Sequence, residues 1–469
     1  MIAAAVLSMG IVTQNQVALR AAPRDSAPQQ AVLWAGEVLE IRGERRGYLQ
    51  VYDHRRERAG FVRANQAQRH ALTADEAPEL LSVVRFLRDT PGAETLGISY
   101  AAAYLKAVPA ASLTAEPFDA LGTMADRLAR RASVNQSGTA QATLAAHLEV
   151  AATFGLGMRN FERDGATQIC YDGEMFRQVL AMPSALPPER ARAALALTRA
   201  ECVDPALGPS ATYALQLRYA DMLDAVPSTD LPPTLLNQLH LRRAGLDASI
   251  AFGSARRGAS PQAVGQRAVD ELARVNVVEL TDDDQSEYAV AAVRVGASRW
   301  AAEPDAARPG ALAIRTEPGA AGETCVVLVD TRKPAAAPLA RRCTYGTVWI
   351  ASARSDAAGH ALTLAVQPLE GWREMWVFRL LAGEWSTDVL VPGSDRPELG
   401  YIEFAGWVPG GQSLLVAREY INGGQPHRRF EQLRLSTLVS ERGSSTPDML
   451  PALGRWQDPA WKRMTVALR

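Results

Sequence analysis

The hydrophobic period changes twice along the chain, and this limits the possible folds more than any other feature. Over residues 12–66 apolar residues alternate in short runs, as at Val17 and Leu19, or Leu49 and Val51. Between 73 and 275 they recur at steps of three and four, as at Leu80, Val83, Val84 and Leu87. After 277 alternation returns, and eight of the nine tryptophans lie there. A period of two marks strands and a period near 3.6 marks helices. The order strands, helices, strands predicts a multidomain α+β protein, and 469 residues fit roughly three domains of about 150. The expected layout is a small β-barrel over 12–68, a central all-α scaffold over 73–275 and an all-β, Trp-rich domain over 277–469.

The central region is punctuated by prolines that suit a helix's first turn, Pro78, Pro117, Pro188, Pro209 and Pro261. Helices are expected over 76–89, 93–107, 116–132, 139–155, 171–182, 188–202, 209–226, 232–246 and 261–275. Thr73-Ala-Asp-Glu76 reads as a capping box. Helix pairs with short loops suggest a solenoid or an irregular bundle; a tetratricopeptide array is the named alternative, without a clean 34-residue repeat of its signature.

Five short strands separated by Gly, Pro and charged turns predict the N-terminal barrel. The run Val17-Ala18-Leu19-Arg20-Ala21-Ala22-Pro23, then Val32, Leu33 and Gly36, then Val38 to Ile41, Tyr48-Leu49-Gln50-Val51 and Gly60-Phe61-Val62 resembles the bacterial SH3-like (SH3b) domain. Ala22 stands where that family usually has glycine. The resemblance covers about 55 residues. It implies a barrel of the kind found in bacterial envelope proteins, with cell-wall or protein binding.

In the last region, strands are expected over 290–295, 312–315, 325–329, 348–353, 361–367, 375–381, 401–407, 413–417 and 430–435. The stretch 348–380 parallels 402–435. Within the second, Trp407-Val-Pro-Gly-Gly-Gln-Ser-Leu414 resembles the blade motif of TolB/WD40-like β-propellers, with Gly410 in place of its aspartate. The tail from Trp456 to Trp461 is a candidate further blade. At about 40–45 residues per blade, the region holds roughly four, the lower limit for a closed propeller; a partial propeller or a sandwich is the alternative.

No apolar run reaches the ~18 residues of a membrane-spanning helix. Residues 1–11 read as the remnant of a signal peptide lacking its basic start, or else as a buried first strand. The four cysteines, Cys170, Cys202, Cys325 and Cys343, form no C-x-x-C, so zinc and redox motifs find no support. They fall instead into two local pairs. Cys170 and Cys202 flank a predicted helical hairpin; Cys325 and Cys343 lie on two predicted strands around a turn at Lys333-Pro334-Ala335. Facing positions of both kinds bring Cβ atoms within disulfide reach. Two bridges place the chain in an oxidising compartment, periplasmic or secreted.

Signatures of catalysis are missing from the sequence: no P-loop, no dinucleotide fingerprint, no nucleophile elbow, no S-x-x-K and no H-E-x-x-H. No cofactor or metal is expected. With 50 basic and 51 acidic residues, the net charge gives no electrostatic case for nucleic acid. Asp282-Asp283-Asp284 lacks the alternation and glycine of a calcium loop and reads as a solvated linker or helix cap. Trp372, Trp376 and Trp385 read as filling between sheets, with a glycan or peptide groove as the alternative. The candidate binding residues are Trp34, Tyr48 and Tyr52, aromatics of the type that line SH3 grooves, with Arg45 and Arg46 beside them. That turn, with the run His54-Arg55-Arg56-Glu57-Arg58, is a candidate contact for anionic wall polymer; charged hairpin tips in water are the plainer reading.

The functional expectation is a non-catalytic envelope binding or scaffold protein, its partners being proteins and possibly peptidoglycan. One alternative is a glycan hydrolase or lyase using dispersed carboxylates such as Glu162, Asp164, Asp172 and Glu174. Another is a subunit of a larger periplasmic assembly.

Overall fold

The computed structural model describes residues 8–134, 137–163, 165–304, 310–333, 337–393, 399–459 and 461. The fold is mixed α+β in two compact units, one formed by 1–208 with 225–231, the other by 209–224 with 232–469. The division therefore falls inside the region expected to be one helical domain. Its later helices belong with the C-terminal sheets.

The first unit opens with seven strands: β1 (Ser8–Val12), β2 (Val17–Arg20), β3 (Gln29–Leu33), β4 (Val38–Arg45), β5 (Tyr48–Asp53), β6 (Arg58–Arg63) and β7 (Ala67–His70). They form an antiparallel sheet in the order β3-β2-β6-β5-β4-β1-β7. Its end strands β3 and β7 are not paired to each other, so its strand pairing does not close the expected barrel. Alternation works as anticipated: Val17, Leu19, Leu39, Leu49, Val51 and Val62 form one buried cluster. The loop Arg46-Gly47 joins β4 to β5 with positive φ at both residues, 52° and 76°, the form a two-residue hairpin turn requires.

Of the two readings of residues 1–11, a leader remnant or a buried first strand, the strand holds for Ser8–Val12, which pairs with β4 and β7. Ile11 is buried among the helices of this unit. Its two paired edges and its apolar side chains make it structural; residues 1–7 lie outside the described set.

Six helices and a hairpin follow: α1 (Ala77–Arg88), α2 (Glu94–Ala107), α3 (Glu116–Ser133), α4 (Thr139–Thr153), β8 (Met158–Arg163), β9 (Ala166–Tyr171), α5 (Glu174–Ala181) and α6 (Pro187–Leu197). Leu80, Val84 and Leu87 of α1 pack with Ile98 and Ala101 of α2 and with Leu121, Met124 and Leu128 of α3. Glu94, fully buried at the start of α2, is paired by Arg127 and Arg131 of α3. The capping box at Thr73 does not form. Its hydroxyl caps nothing, and the Glu76 carboxylate accepts from Ala71 N and Leu72 N instead. The β8–β9 hairpin replaces the first residues of the helix expected over 171–182, because extended Cys170 and Tyr171 pair with Arg159 and Met158.

The second unit begins with α7 (Pro209–Asp224), α8 (Pro233–Arg256), α9 (Gln262–Ala273) and α10 (Asp282–Ser298). The strand expected over 290–295 lies inside α10. Its start is capped by Thr281, whose hydroxyl accepts from Asp284 N while the Asp284 carboxylate accepts back from Thr281. The three aspartates fill the first turn, where the helix dipole favours negative charge. The acidic run is thus a helix cap.

Within α8, Asp247 is 6% exposed. Burial pushes its carboxyl up to about 6, against the opposing bond from Arg267 of α9. That same bond raises Arg267, but the guanidinium is half-exposed and water screens its charge, so burial prevails at Asp247. The folded state therefore binds a proton more tightly than the unfolded chain. Stability should fall as pH rises from about 4 to about 6, by at most about 3 kcal/mol. Asp247→Asn should flatten that slope and raise stability at pH 7 by about 1–3 kcal/mol, read by urea denaturation across pH. A variant no more stable than the parent at pH 7 would contradict this.

Strands occupy most of the remainder: β10 (Leu312–Pro318), β11 (Thr324–Asp330), β12 (Ala340–Thr344), β13 (Thr347–Ser355), β14 (Ala361–Leu369), β15 (Trp372–Leu381), β16 (Glu384–Leu390), β17 (Leu399–Trp407), β18 (Ser413–Asn422), β19 (Gln425–Arg434) and β20 (Ser440–Ser444). β10–β12 form a three-stranded sheet. The eight-stranded sheet is two antiparallel four-stranded meanders, β13–β16 and β17–β20, joined by a short parallel pairing of Arg373 with Tyr401. The two stretches that resemble each other in sequence occupy corresponding places in these meanders.

Three buried clusters stack the layers. Leu312, Val326 and Leu328 pack on one face of the first meander against Leu362, Leu364 and Phe378. Its other face, through Met375 and Val377, meets Ile402, Leu414 and Val416 of the second. Beyond that, Tyr401, Leu415 and Phe430 pack under Val293 and Ala297 of α10 and under Leu450 and Leu453. No closed propeller forms among the described residues. A short helix, α11 (Pro451–Trp456), leads up to the tail where a further blade was anticipated to begin, and residues 460 and 462–469 of that tail lie outside the described residues. Trp372 and Trp376 are buried, and Trp376 and Trp385 belong to the core between the first two layers.

Gly296 lets α10 approach the sheet closely, since a Cβ there would lie 2.6 Å from Cζ of Tyr401. Gly296→Ala should cost about 1–3 kcal/mol by overpacking, against the ~1 kcal/mol an alanine usually contributes within a helix. A urea midpoint at or above that of the parent would contradict it.

Candidate functional site

In the first unit the nominated aromatics have different partners. Tyr48 is buried and its hydroxyl donates to Asp25, which also holds Arg63. The Arg63 and Tyr48 bonds hold the exposed Asp25 carboxyl below its usual range. Tyr52 is half-buried under the Arg42 guanidinium, 4.0 Å from its ring centroid, with His54 edge-on at 4.9 Å. Trp34, also half-buried, meets His147 of α4 edge-on at 6.4 Å. His147 is itself buried against Asn15.

The two basic clusters differ. In the run 54–58, Arg56 forks onto Glu37 and bonds Asp53, while Arg55 pairs with Glu149. These charges are spent within the unit. Arg45 and Arg46, at the β4–β5 turn, are exposed and form no ion pair among the described residues.

Both predicted disulfides are present. Cys170–Cys202 joins the end of β9 to the turn after α6, with Cα atoms 5.7 Å apart. Cys325–Cys343 links directly opposed positions on β11 and β12. One trio of described residues, Glu323, Cys325 and Cys343, has donor atoms close enough for a metal, but its sulfurs are bonded to each other. Of the nominated carboxylates, Glu162 is exposed on β8 and accepts from Thr167, Glu174 pairs with Arg177, and Asp172 accepts from Glu174 N. Asp164 lies outside the described residues. No helix among the described residues is long and apolar enough to cross a membrane.

The most concentrated buried chemistry lies in the second unit, at residues the sequence reading did not nominate. Glu403 projects from β17 between Arg299, in the turn after α10, and Arg373, from β15. Arg299 donates through Nε at 2.7 Å and Nη2 at 2.5 Å to the two carboxylate oxygens, and Arg373 Nη2 donates to Oε2. All three are buried, Arg373 completely. Burial alone would raise Glu403, but the two guanidiniums outweigh it and hold the carboxyl below its ordinary value. Burial, reinforced by the neighbouring Arg299 charge, lowers Arg373.

Against this cluster lies a pocket lined by Arg299, Trp300, Ser352, Thr363, Glu403 and Trp461, among others, with a cavity of about 10 Å³. Trp300 lies between two guanidiniums, Arg299 at 4.2 Å and Arg354 at 5.2 Å from its ring. Arg354 donates to the carbonyls of Ala351 and Ala353 and faces Asp458 at 3.7 Å. A signal for this cluster exists in the sequence: Tyr401-Ile-Glu403-Phe-Ala405 sets a carboxylate in a strand whose neighbours are apolar, and charge buried on such a strand must be paired. Its partners, 104 and 30 residues away, carry no local mark. Comparisons with family models, curated proteins and solved structures found no match for the chain.

Proposed function

We propose that this chain is a non-enzymatic binding protein of the bacterial cell envelope, resident in an oxidising compartment and acting through stapled surfaces. The observation that carries this reading is the pair of local disulfides, one in each unit, because such bonds persist where thiols are not kept reduced. The seven short strands at the N-terminus are compatible with an SH3b-like module that engages wall polymer or a protein. Within it, the Arg45–Arg46 turn is the favoured contact for an anionic polymer, since both side chains are exposed and unpaired among the described residues, whereas Arg55 and Arg56 of the 54–58 run are paired within the unit.

The test is co-sedimentation of the full chain with isolated peptidoglycan retaining its anionic polymers, beside a pull-down from envelope extract. Retention on wall material that weakens several-fold in an Arg45→Glu, Arg46→Glu double variant is expected. Failure to retain either wall material or a defined envelope protein would overturn the proposal. So would four reactive thiols in the denatured, unreduced native protein.

A further inference from the structure

The two bridges differ in what surrounds their sulfurs. On β11, Val326 and Leu328 face the first meander, so the alternate residue Cys325 points to the opposite face of its sheet. On β12, Arg342 lies over Trp376 of that meander at 4.9 Å, so its neighbour Cys343 points the same way as Cys325. The bridge thus joins β11 to β12, an end strand of the three-stranded sheet, on the face away from the meander. Cys325 is completely buried, whereas Cys343 keeps partial exposure. Arg341, exposed and two residues before Cys343, donates through Nη2 to Cys325 Sγ at 2.9 Å. Two acids share this face. The Glu323 carboxylate lies within 4.8 Å of both sulfurs and accepts from Ala320 N, and Glu317 stands opposite Cys325 on β10. Neither carboxylate, when ionised, can donate a hydrogen bond to sulfur; the guanidinium does so directly. At the other bridge the buried sulfur, that of Cys170, meets neutral groups instead, the Gln168 amide at 3.9 Å and the Glu201 carbonyl at 4.0 Å.

We propose that Cys325–Cys343 is a thiol-exchange site in the folded protein, attacked at Cys343 Sγ by a dithiol, while Cys170–Cys202 is a static staple. Access selects the sulfur, since Cys325 has no exposed surface. One thiolate of the dithiol bonds to Cys343 Sγ as the S–S bond breaks, and the electron pair leaves on Cys325 Sγ. Arg341 receives that charge through the hydrogen bond it already makes, and a leaving thiolate stabilised by a neighbouring cation departs faster. The second thiolate of the dithiol then attacks the dithiol's own sulfur in the mixed disulfide, releasing Cys343. The dithiol ends as a disulfide, both cysteines end as thiols, and the dithiol's protons reach them through solvent. Opening unties the end strand β12 from β11 at one facing pair and acts on the second unit alone.

The test uses the folded full chain with limiting dithiothreitol, quenched at intervals with iodoacetamide and read by peptide mass. Cys325 and Cys343 should be alkylated about tenfold sooner than Cys170 and Cys202. Glutathione, a monothiol that halts at the mixed disulfide, should be found on Cys343, with the alkyl group on Cys325. Arg341→Met should slow the opening by about threefold to tenfold and leave the rate at Cys170–Cys202 unchanged, and Arg341→Lys, which keeps the charge, should restore part of it. Glu323→Gln, which removes an opposing charge, should not slow it. Equal rates at the two bridges, earlier opening of Cys170–Cys202, glutathione mainly on Cys325, or an Arg341→Met variant that opens as fast as the parent would each overturn the proposal. The position of the glutathione decides which sulfur is attacked without any substitution, so a variant that folds poorly does not spoil the outcome.

Discussion

Glu403→Gln should destabilise the second unit by about 3–5 kcal/mol, the penalty for breaking a buried ion cluster from one side. The carboxylate is 3% exposed and is the acceptor for both Arg299 and Arg373. Its loss leaves two guanidiniums facing each other in the dry layer between β15, β17 and the turn after α10. Against a domain stability of about 5–15 kcal/mol, such a loss approaches unfolding. Urea denaturation followed by tryptophan fluorescence reads it directly, because eight of the nine tryptophans lie in this unit. The first unit, with a separate core, should keep its own transition. A triple variant, Arg299→Met, Arg373→Met and Glu403→Gln, removes all three charges and should recover most of the loss. An unchanged midpoint for Glu403→Gln would show that the cluster is not buried in solution. The cluster also predicts acid sensitivity. Glu403 titrates lower in the folded state than its ordinary 4.5, so its contribution is fully present above about pH 5 and is lost as pH falls through the folded-state value.

Removing the disulfides should produce the second-largest effect, and it should separate by unit. The Cys170–Cys202 bridge spans 32 residues and the Cys325–Cys343 bridge 18. Restricting the unfolded chain over loops of those lengths contributes about 4 and about 3 kcal/mol. Cys170→Ser with Cys202→Ser should lower only the first unit's transition, and Cys325→Ser with Cys343→Ser only the second's. Effects at sites without shared partners add, so reduction with dithiothreitol should reproduce both. A parent protein whose denaturation curve is the same with and without reductant would contradict the expectation.

These bridges also show how far local patterning reaches. Each pair is close in sequence and lies on neighbouring elements, so the element pattern alone brings its sulfurs together. The meanders of the second unit are similar, since alternation at 361–367 or 413–417 reports one strand and the next turn reports its partner. The errors share a cause. The strand expected over 290–295 became α10 because Thr281 and Asp284 nucleate a helix that an alternating apolar run also permits. The hairpin β8–β9 went unread because Met158–Arg163 is mostly polar and half-exposed, leaving little alternation to detect. Ser8–Val12 resembled the end of a leader because small and apolar residues serve a buried strand equally well.

The sequence by itself determined the order of strand-rich and helix-rich segments, the two cysteine pairings and the repeat within the last region. Those are short-range properties, written in period, turn residues and caps. Only the tertiary structure decided that the later helices join the C-terminal sheets, that Arg55 and Arg56 of the basic run are paired at home, and that Arg299, Arg373 and Glu403 meet. Their meeting depends on which faces of distant elements stack. The cost of burying a charge requires that Glu403 have a partner, but only the packing of layers supplies its identity.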